Sequence, residues 1–223
     1  RHLADFYNML YTKVKVSDAQ RLFEYSDESE VYPMSLINLK YILSMGELDY
    51  SWCEYVGRTG SVYIHRNKYA DSAASFYTNT ISKSECESMD EAGRRLLLKD
   101  TLIVPDGEDV LHDTETGEVT LGSFVADGKY FTGTISNEKE GFLLLTIPDQ
   151  DGWEVYVDGK KTETINGDYG FLAVKLAAGN HEVKAVYHIP YMKQGAVVSI
   201  LGALLLTGYC LWLYRRDRKR KQG

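Results

Sequence analysis

The chain has 223 residues, with 25 Lys and Arg against 32 Asp and Glu and a formal net charge of −7. From Arg215 onward six basic residues stand against Asp217 alone, so the preceding 214 residues carry 19 basic and 31 acidic side chains. A body this acidic repels phosphate backbones and argues against nucleic acid as a partner, while the length allows one large or two small domains with their own cores.

Residues 1–104 read as a mixed α/β segment. "RHLADFYNMLYTKVKV" places Leu3, Phe6, Met9 and Leu10 at helical spacing, and "SDAQRLFEYSDESE" offers a Ser17 or Asp18 cap. "SLINLKYILSM" (35–45) reads as a buried strand or a short helix. "EYVGRTGSVYIHRN" (54–67) predicts a hairpin turning at Gly57-Arg58-Thr59-Gly60, with Val62-Tyr63-Ile64 as the return strand. "KSECESMDEAGRRLLLKD" (83–100) predicts an amphipathic helix capped by Ser84, with Glu87 three residues on and Met89, Ala92 and Leu96 on its apolar face.

A boundary is placed near Pro105, and residues 105–190 read as an antiparallel β-sandwich-like domain. Expected strands are Val119–Val125, Tyr130–Ser136, Gly141–Ile147, Trp153–Val157, Phe171–Leu176 and His181–Tyr187, separated by Gly, Asp and Asn turns. In "GWEVYVDGKK" (152–161), Trp153, Val155 and Val157 share one face. Asp158-Gly159 is the pair that a tight type I′ turn favours, and Lys160 and Lys161 begin the return strand.

"GAVVSILGALLLTGYCLWLY" (195–214) holds no charge over 20 positions, and a helix of that length covers about 30 Å, the thickness of a bilayer's hydrocarbon core. Tyr209, Trp212 and Tyr214 gather toward one end and Tyr191 lies beyond the other, as interfacial aromatics do. The basic tail 215–223 stays cytoplasmic by the positive-inside rule, which puts residues 1–190 on the extracytoplasmic side. A translocated domain needs a signal peptide or an earlier membrane helix. Neither occurs in these 223 residues, so the expectation is the last part of a longer membrane protein. A tail-anchored protein with a cytoplasmic body is the alternative, and the basic residues beyond the helix argue against it. Gly195, Ser199, Ala203 and Thr207 recur every fourth residue, a stripe that lets another transmembrane helix approach closely.

No catalytic, cofactor-binding or metal-binding residue is nominated. Cys53, Cys86 and Cys210 show no CxxC spacing, and whether Cys53 and Cys86 pair is left open. The five histidines fit no metal spacing, and His181, at a strand edge after Gly179-Asn180, reads as a residue with a local hydrogen bond. "DGEDVLHDTETGE" carries six carboxylates from Asp106 to Glu118 but lacks the calcium-loop pattern, so it reads as a solvated acidic loop. Paired carboxylates of the glycosidase kind have nothing to single them out, although exposed aromatic rings are suited to stacking on sugars.

"LLLTIPDQDGWEVYVDGKKTE", the strand at Gly170-Phe171-Leu172, "LAAGNHEVKAVYHIPYMKQG" and the final helix with its basic tail resemble the end of the YfhO family of large bacterial multi-pass membrane proteins. "SLINLKYILS" and "VYIHRN" are similar to that family's extracytoplasmic segment, so the resemblance covers roughly residues 35–215. It implies a polyprenyl-phosphate-sugar-dependent glycosyltransferase that adds sugars to lipoteichoic acid or another envelope glycopolymer. Catalytic acids in such enzymes lie between early membrane helices, outside these residues. The resemblance therefore implies a non-catalytic extracytoplasmic domain plus last membrane helix, with the bilayer, the other helices and the envelope polymer as partners. A membrane-anchored carbohydrate- or protein-binding module is the alternative.

Overall fold

A computed structural model of the chain describes residues 31–70, 73–113 and 117–220. The expected helix over 1–16 and the Ser17 or Asp18 cap lie outside the described residues. The chain divides between Tyr187 and His188 into two compact units.

The first unit opens with α1 (Val31–Leu36), which ends before Asn38, a residue in the left-handed region at φ 57°. Strand β1 (Tyr41–Ser44) follows, so residues 35–45 hold both a helix end and a strand. The hairpin expected at 54–67 forms from β2 (Cys53–Thr59) and β3 (Val62–Asn67), with β1 on the other side of β3. Its turn lies at Gly60-Ser61, where Thr59 pairs with Val62 and Gly60 has φ 61°. Gly57 and Arg58 belong to β2 instead, because Val56 is an extra bulged residue that shifts the register between Tyr55 and Gly57.

After β4 (Ala74–Tyr77) and β5 (Thr80–Ser82), the single helix expected over 83–100 is two, α2 (Lys83–Glu87) and α3 (Glu91–Leu97). The cap is Ser82 rather than Ser84, its Oγ accepting from the Glu85 amide at 3.3 Å. Asp90 then caps a second helix, accepting from the Gly93 amide at 2.8 Å, and the restart rotates the buried face. Met89 and Leu96 are exposed, while Cys86, Arg95 and Leu98 are buried. Strand β6 (Leu102–Val104) returns parallel to β5, the crossover length that parallel pairing requires being supplied by the two helices.

The rest of the unit is antiparallel. It runs through β7 (Val119–Leu121), β8 (Val125–Asp127), β9 (Tyr130–Asn137), β10 (Gly141–Pro148), β11 (Trp153–Val157), β12 (Lys160–Thr162), β13 (Ile165–Gly167), β14 (Phe171–Leu176) and β15 (Gly179–Tyr187). One sheet has the order β13-β14-β10-β4; the other has β12-β11-β15-β9-β7, with β8 also on β9. The strand expected over Val119–Val125 is interrupted at residues 122–124, and the Phe124 ring lies over Gly133, where an added Cβ would come within 2.3 Å of it.

Leu143 and Leu145 of β10, Val174 and Leu176 of β14, and Ile135, Val155 and Val183 of the second sheet form one core. Phe142 and Leu144, alternating with those residues, face a second core with Ile103, Val104, Cys86 and Leu98. Strand β10 is thus covered on both faces, so "FLLL" shows none of the polar alternation of a strand with one wet side. Cys53 and Cys86 are free thiols.

The second unit is built around α4 (Met192–Arg220). Its segment Met192–Leu213 is 22 residues long with a mean hydropathy of 2.1, long and apolar enough to cross a membrane. Tyr209 and Trp212 stack at 6.0 Å between ring centroids, and the Arg216 guanidinium lies 4.9 Å from the Trp212 ring.

Candidate functional site

The turn between β11 and β12 has the geometry its residues predict. Val157 pairs with Lys160 across a two-residue loop, and both Asp158 and Gly159 have positive φ, 52° and 77°. The Asp158 side chain is then taken up by the start of β15. Its Oδ2 lies 2.7 Å from His181 Nδ1, and its Oδ1 accepts from the Glu182 amide at 2.9 Å. The other imidazole nitrogen, His181 Nε2, is 3.0 Å from the Ala177 carbonyl. The hydrogen bond from His181 and the Glu182 amide hold the Asp158 carboxyl below the usual carboxylate range. Two residues with the look of an acid–base pair are thereby tied to backbone, binding a hairpin to the neighbouring strand.

Trp153 packs half-buried against the sandwich core, with Tyr187 5.1 Å away between ring centroids. Lys161 does not converge on Asp158; it pairs with Glu154 at 2.6 Å. The acidic loop is held to the sandwich by lysines, Asp109 to Lys175 at 3.1 Å and Asp113 to Lys139 at 2.8 Å. His65 is fully buried, accepting at Nε2 from the Leu48 amide at 3.1 Å. Among the described residues no group of three or more His, Cys, Asp or Glu is gathered as a metal site.

Two features come from residues that the sequence gives no reason to join. The first is Asp168, in the turn between β13 and β14. It is fully buried, and it grips the free edge of β6: its amide donates to the Ile103 carbonyl at 3.0 Å and its Oδ1 accepts from the Ile103 amide at 2.9 Å. Oδ2 is enclosed and takes no hydrogen bond among the described residues. Burial pushes this carboxyl up to about 7, the Ile103 amide opposing the rise. In sequence it is one Asp within "NGDYG", indistinguishable from a solvated turn residue.

The second is a polar cleft of about 210 Å³ between the end of β4, the turn after α3 and the acidic loop. Phe76, Asn79, Lys99, Asp100 and Asp113 line it. Residues 78–80 are pinned on both sides: the Leu102 amide donates to the Asn79 carbonyl at 3.0 Å, and the Thr80 amide to the Leu111 carbonyl at 2.9 Å. Asn79 Nδ2 donates to Thr101 Oγ1 at 2.8 Å, and that hydroxyl donates to Asp100 Oδ1 at 3.0 Å, so amide and carboxylate form one hydrogen-bonded unit. A second cleft, of about 230 Å³, is almost wholly apolar, with Met34, Leu39, Ile42, Tyr50 and Trp52 among its walls.

A family model described as "Bacterial membrane protein YfhO" matches residues 108–199. A Bacillus subtilis (strain 168) protein described as "Uncharacterized protein YfhO" is 32% identical over 85 residues, 38% of this chain. The matched stretch spans 9% of that relative's length. No solved structure matches the chain.

Proposed function

Starting from a chain whose residues 108–199 belong to the YfhO family of bacterial membrane proteins, we infer that it forms the non-catalytic, extracytoplasmic C-terminal domain and last membrane helix of a longer multi-pass glycosyltransferase. The enzyme on this reading moves a sugar from a polyprenyl-phosphate carrier to an envelope glycopolymer such as lipoteichoic acid, and this domain shapes the acceptor side of the site. One observation carries the reading: the family match over residues 108–199 takes in strands β7 to β15 and the first residues of the apolar helix that begins at Met192. A sandwich followed directly in the chain by a membrane-length helix suits an acceptor-side domain held at the bilayer. The basic residues from Arg215 onward support a cytoplasmic C-terminus, and with it an extracytoplasmic sandwich. Gly195, Ser199, Ala203 and Thr207 are the residues through which the helix packs on the rest of the protein.

The test compares sugar transfer by membranes containing the full-length parent with membranes containing these 223 residues alone. Transfer by the parent and none by the chain alone supports the reading; transfer by the chain alone defeats it. The polar cleft at Asn79 and Asp100 favours a second reading, a membrane-anchored carbohydrate-binding module that works without a catalytic partner.

A further inference from the structure

We propose that the cleft between the end of β4 and the turn after α3 binds a single neutral, polyhydroxylated ring, one sugar residue of an envelope polymer; this rests on the envelope-acceptor role proposed above. The lining chooses the chemistry. Lys99, and the Lys139 that pairs with Asp113, do no more than offset the carboxylates of Asp100 and Asp113, so the cleft offers no surplus positive charge to hold a phosphate or other anion. A wholly apolar ligand would strip water from a carboxylate, an amide and an ammonium group without replacing their hydrogen bonds. A ring with adjacent hydroxyls satisfies all three, since each hydroxyl donates to a carboxylate or amide oxygen and accepts from Lys99 Nζ. Phe76 supplies the apolar wall that the C–H faces of such a ring require.

Acceptor capacity is present and fixed in place. Asn79 Nδ2 and Asp100 Oδ1 are engaged with Thr101, while Asn79 Oδ1 and Asp100 Oδ2 receive no donor among the described residues. Thr78 Oγ1 donates to the Asp113 carbonyl at 2.9 Å and the Leu111 amide to Thr80 Oγ1 at 2.7 Å, so the walls are set before any ligand arrives. At about 210 Å³ the cleft is smaller than the roughly 300–1,000 Å³ of sites for drug-sized ligands, room for one ring rather than a chain.

The experiment titrates the whole 223-residue chain, in lipid nanodiscs, with the methyl glycosides of glucose, galactose and N-acetylglucosamine, and with glycerol phosphate as the anion. Binding is followed by NMR saturation transfer and by contacts to the Phe76 ring protons. The expected result is saturable binding of at least one glycoside with contacts to Phe76, and none of glycerol phosphate. Asp100→Asn weakens that binding about tenfold or more, an interaction of a charged acceptor being at stake. Asn79→Ala weakens it as well. Where Asn79→Ala disturbs folding, Asp100→Asn carries the test, since its amide oxygen still accepts from Thr101. Absence of saturable binding by all three glycosides, binding unchanged in a folded Asp100→Asn chain, or preference for glycerol phosphate overturns the proposal. The readout needs no transfer reaction, so failure here leaves the transferase reading to its own assay.

Discussion

His181 Nδ1 lies 2.7 Å from Asp158 Oδ2, joining the tip of the β11–β12 hairpin to the first turn of backbone in β15. The two residues are 23 positions apart, and each also holds backbone: Asp158 the Glu182 amide, His181 the Ala177 carbonyl. The pair is a clasp within the sheet.

The clasp has a pH signature. Asp158 is ionised in the fold at a pH where the unfolded chain would bind a proton, so its contribution is complete above the usual carboxylate value of about 4 and fades as pH falls through the lower folded value. Thermal melts from pH 7 down to pH 2 should show native protein losing stability more steeply on the acid side than Asp158→Asn, which keeps the positive-φ turn. Parallel acid limbs would contradict the clasp.

Asp168 works in the opposite sense. Its carboxyl is raised to about 7 in the fold against about 4 when unfolded. Between those values the native state holds a proton that the unfolded chain has released, so stability falls as pH rises, and levels off above about 7. Asp168→Asn keeps an oxygen for the Ile103 amide and should abolish that slope. Denaturant melts at pH 5 and pH 8 check it: the variant gains on the native protein at pH 8 relative to pH 5. An equal difference at both would rule out a protonated, buried Asp168.

Trp153 and Leu145 should separate by burial. Leu145 is fully enclosed, and Leu145→Ala should cost about 2–5 kcal/mol. Trp153 is half-buried and its enclosed Nε1 has no hydrogen-bond acceptor among the described residues, so Trp153→Ala should cost about 3 kcal/mol, the lower end for aromatic truncation. Trp153→Phe should cost less than about 1.5 kcal/mol, as conservative hydrophobic exchanges do, because no hydrogen bond is lost. Urea unfolding of the three variants measures the order; a Phe variant as poor as the Ala variant would mean that the indole is bonded.

Gly141 is required by close approach. A Cβ there would lie 2.5 Å from both the Phe76 ring and the Tyr77 carbonyl. Gly141→Ala should part β4 from β10 and destabilise the unit by about 1–3 kcal/mol, the cost of overpacking, with Phe76 resonances displaced in NMR spectra. Unchanged stability would place Phe76 elsewhere.

Much of the sandwich is legible in the sequence because its signals are local. Asp158-Gly159 states its own turn, and the alternating Val183 and Ala185 state which face of β15 is buried. Gly57 and Gly60 look equally fit for a turn, and only the bulge at Val56 decides between them. Met89 and Leu96 keep helical spacing on paper, yet the Asp90 cap divides the helix and turns both outward. Asp168 and the cleft are illegible for a different reason. Asp168 reaches Ile103 across 65 positions, and Asn79 meets Asp100 through Thr101, contacts that no local pattern encodes.

The most direct test of the central claim is radiolabelled sugar transfer from a polyprenyl-phosphate carrier to lipoteichoic acid in isolated membranes. Transfer by the full-length parent is expected, with loss of acceptor use when residues 105–190 are deleted from it and no transfer by the 223-residue chain alone. Transfer by that chain without the parent, or full transfer by the parent lacking 105–190, would contradict it.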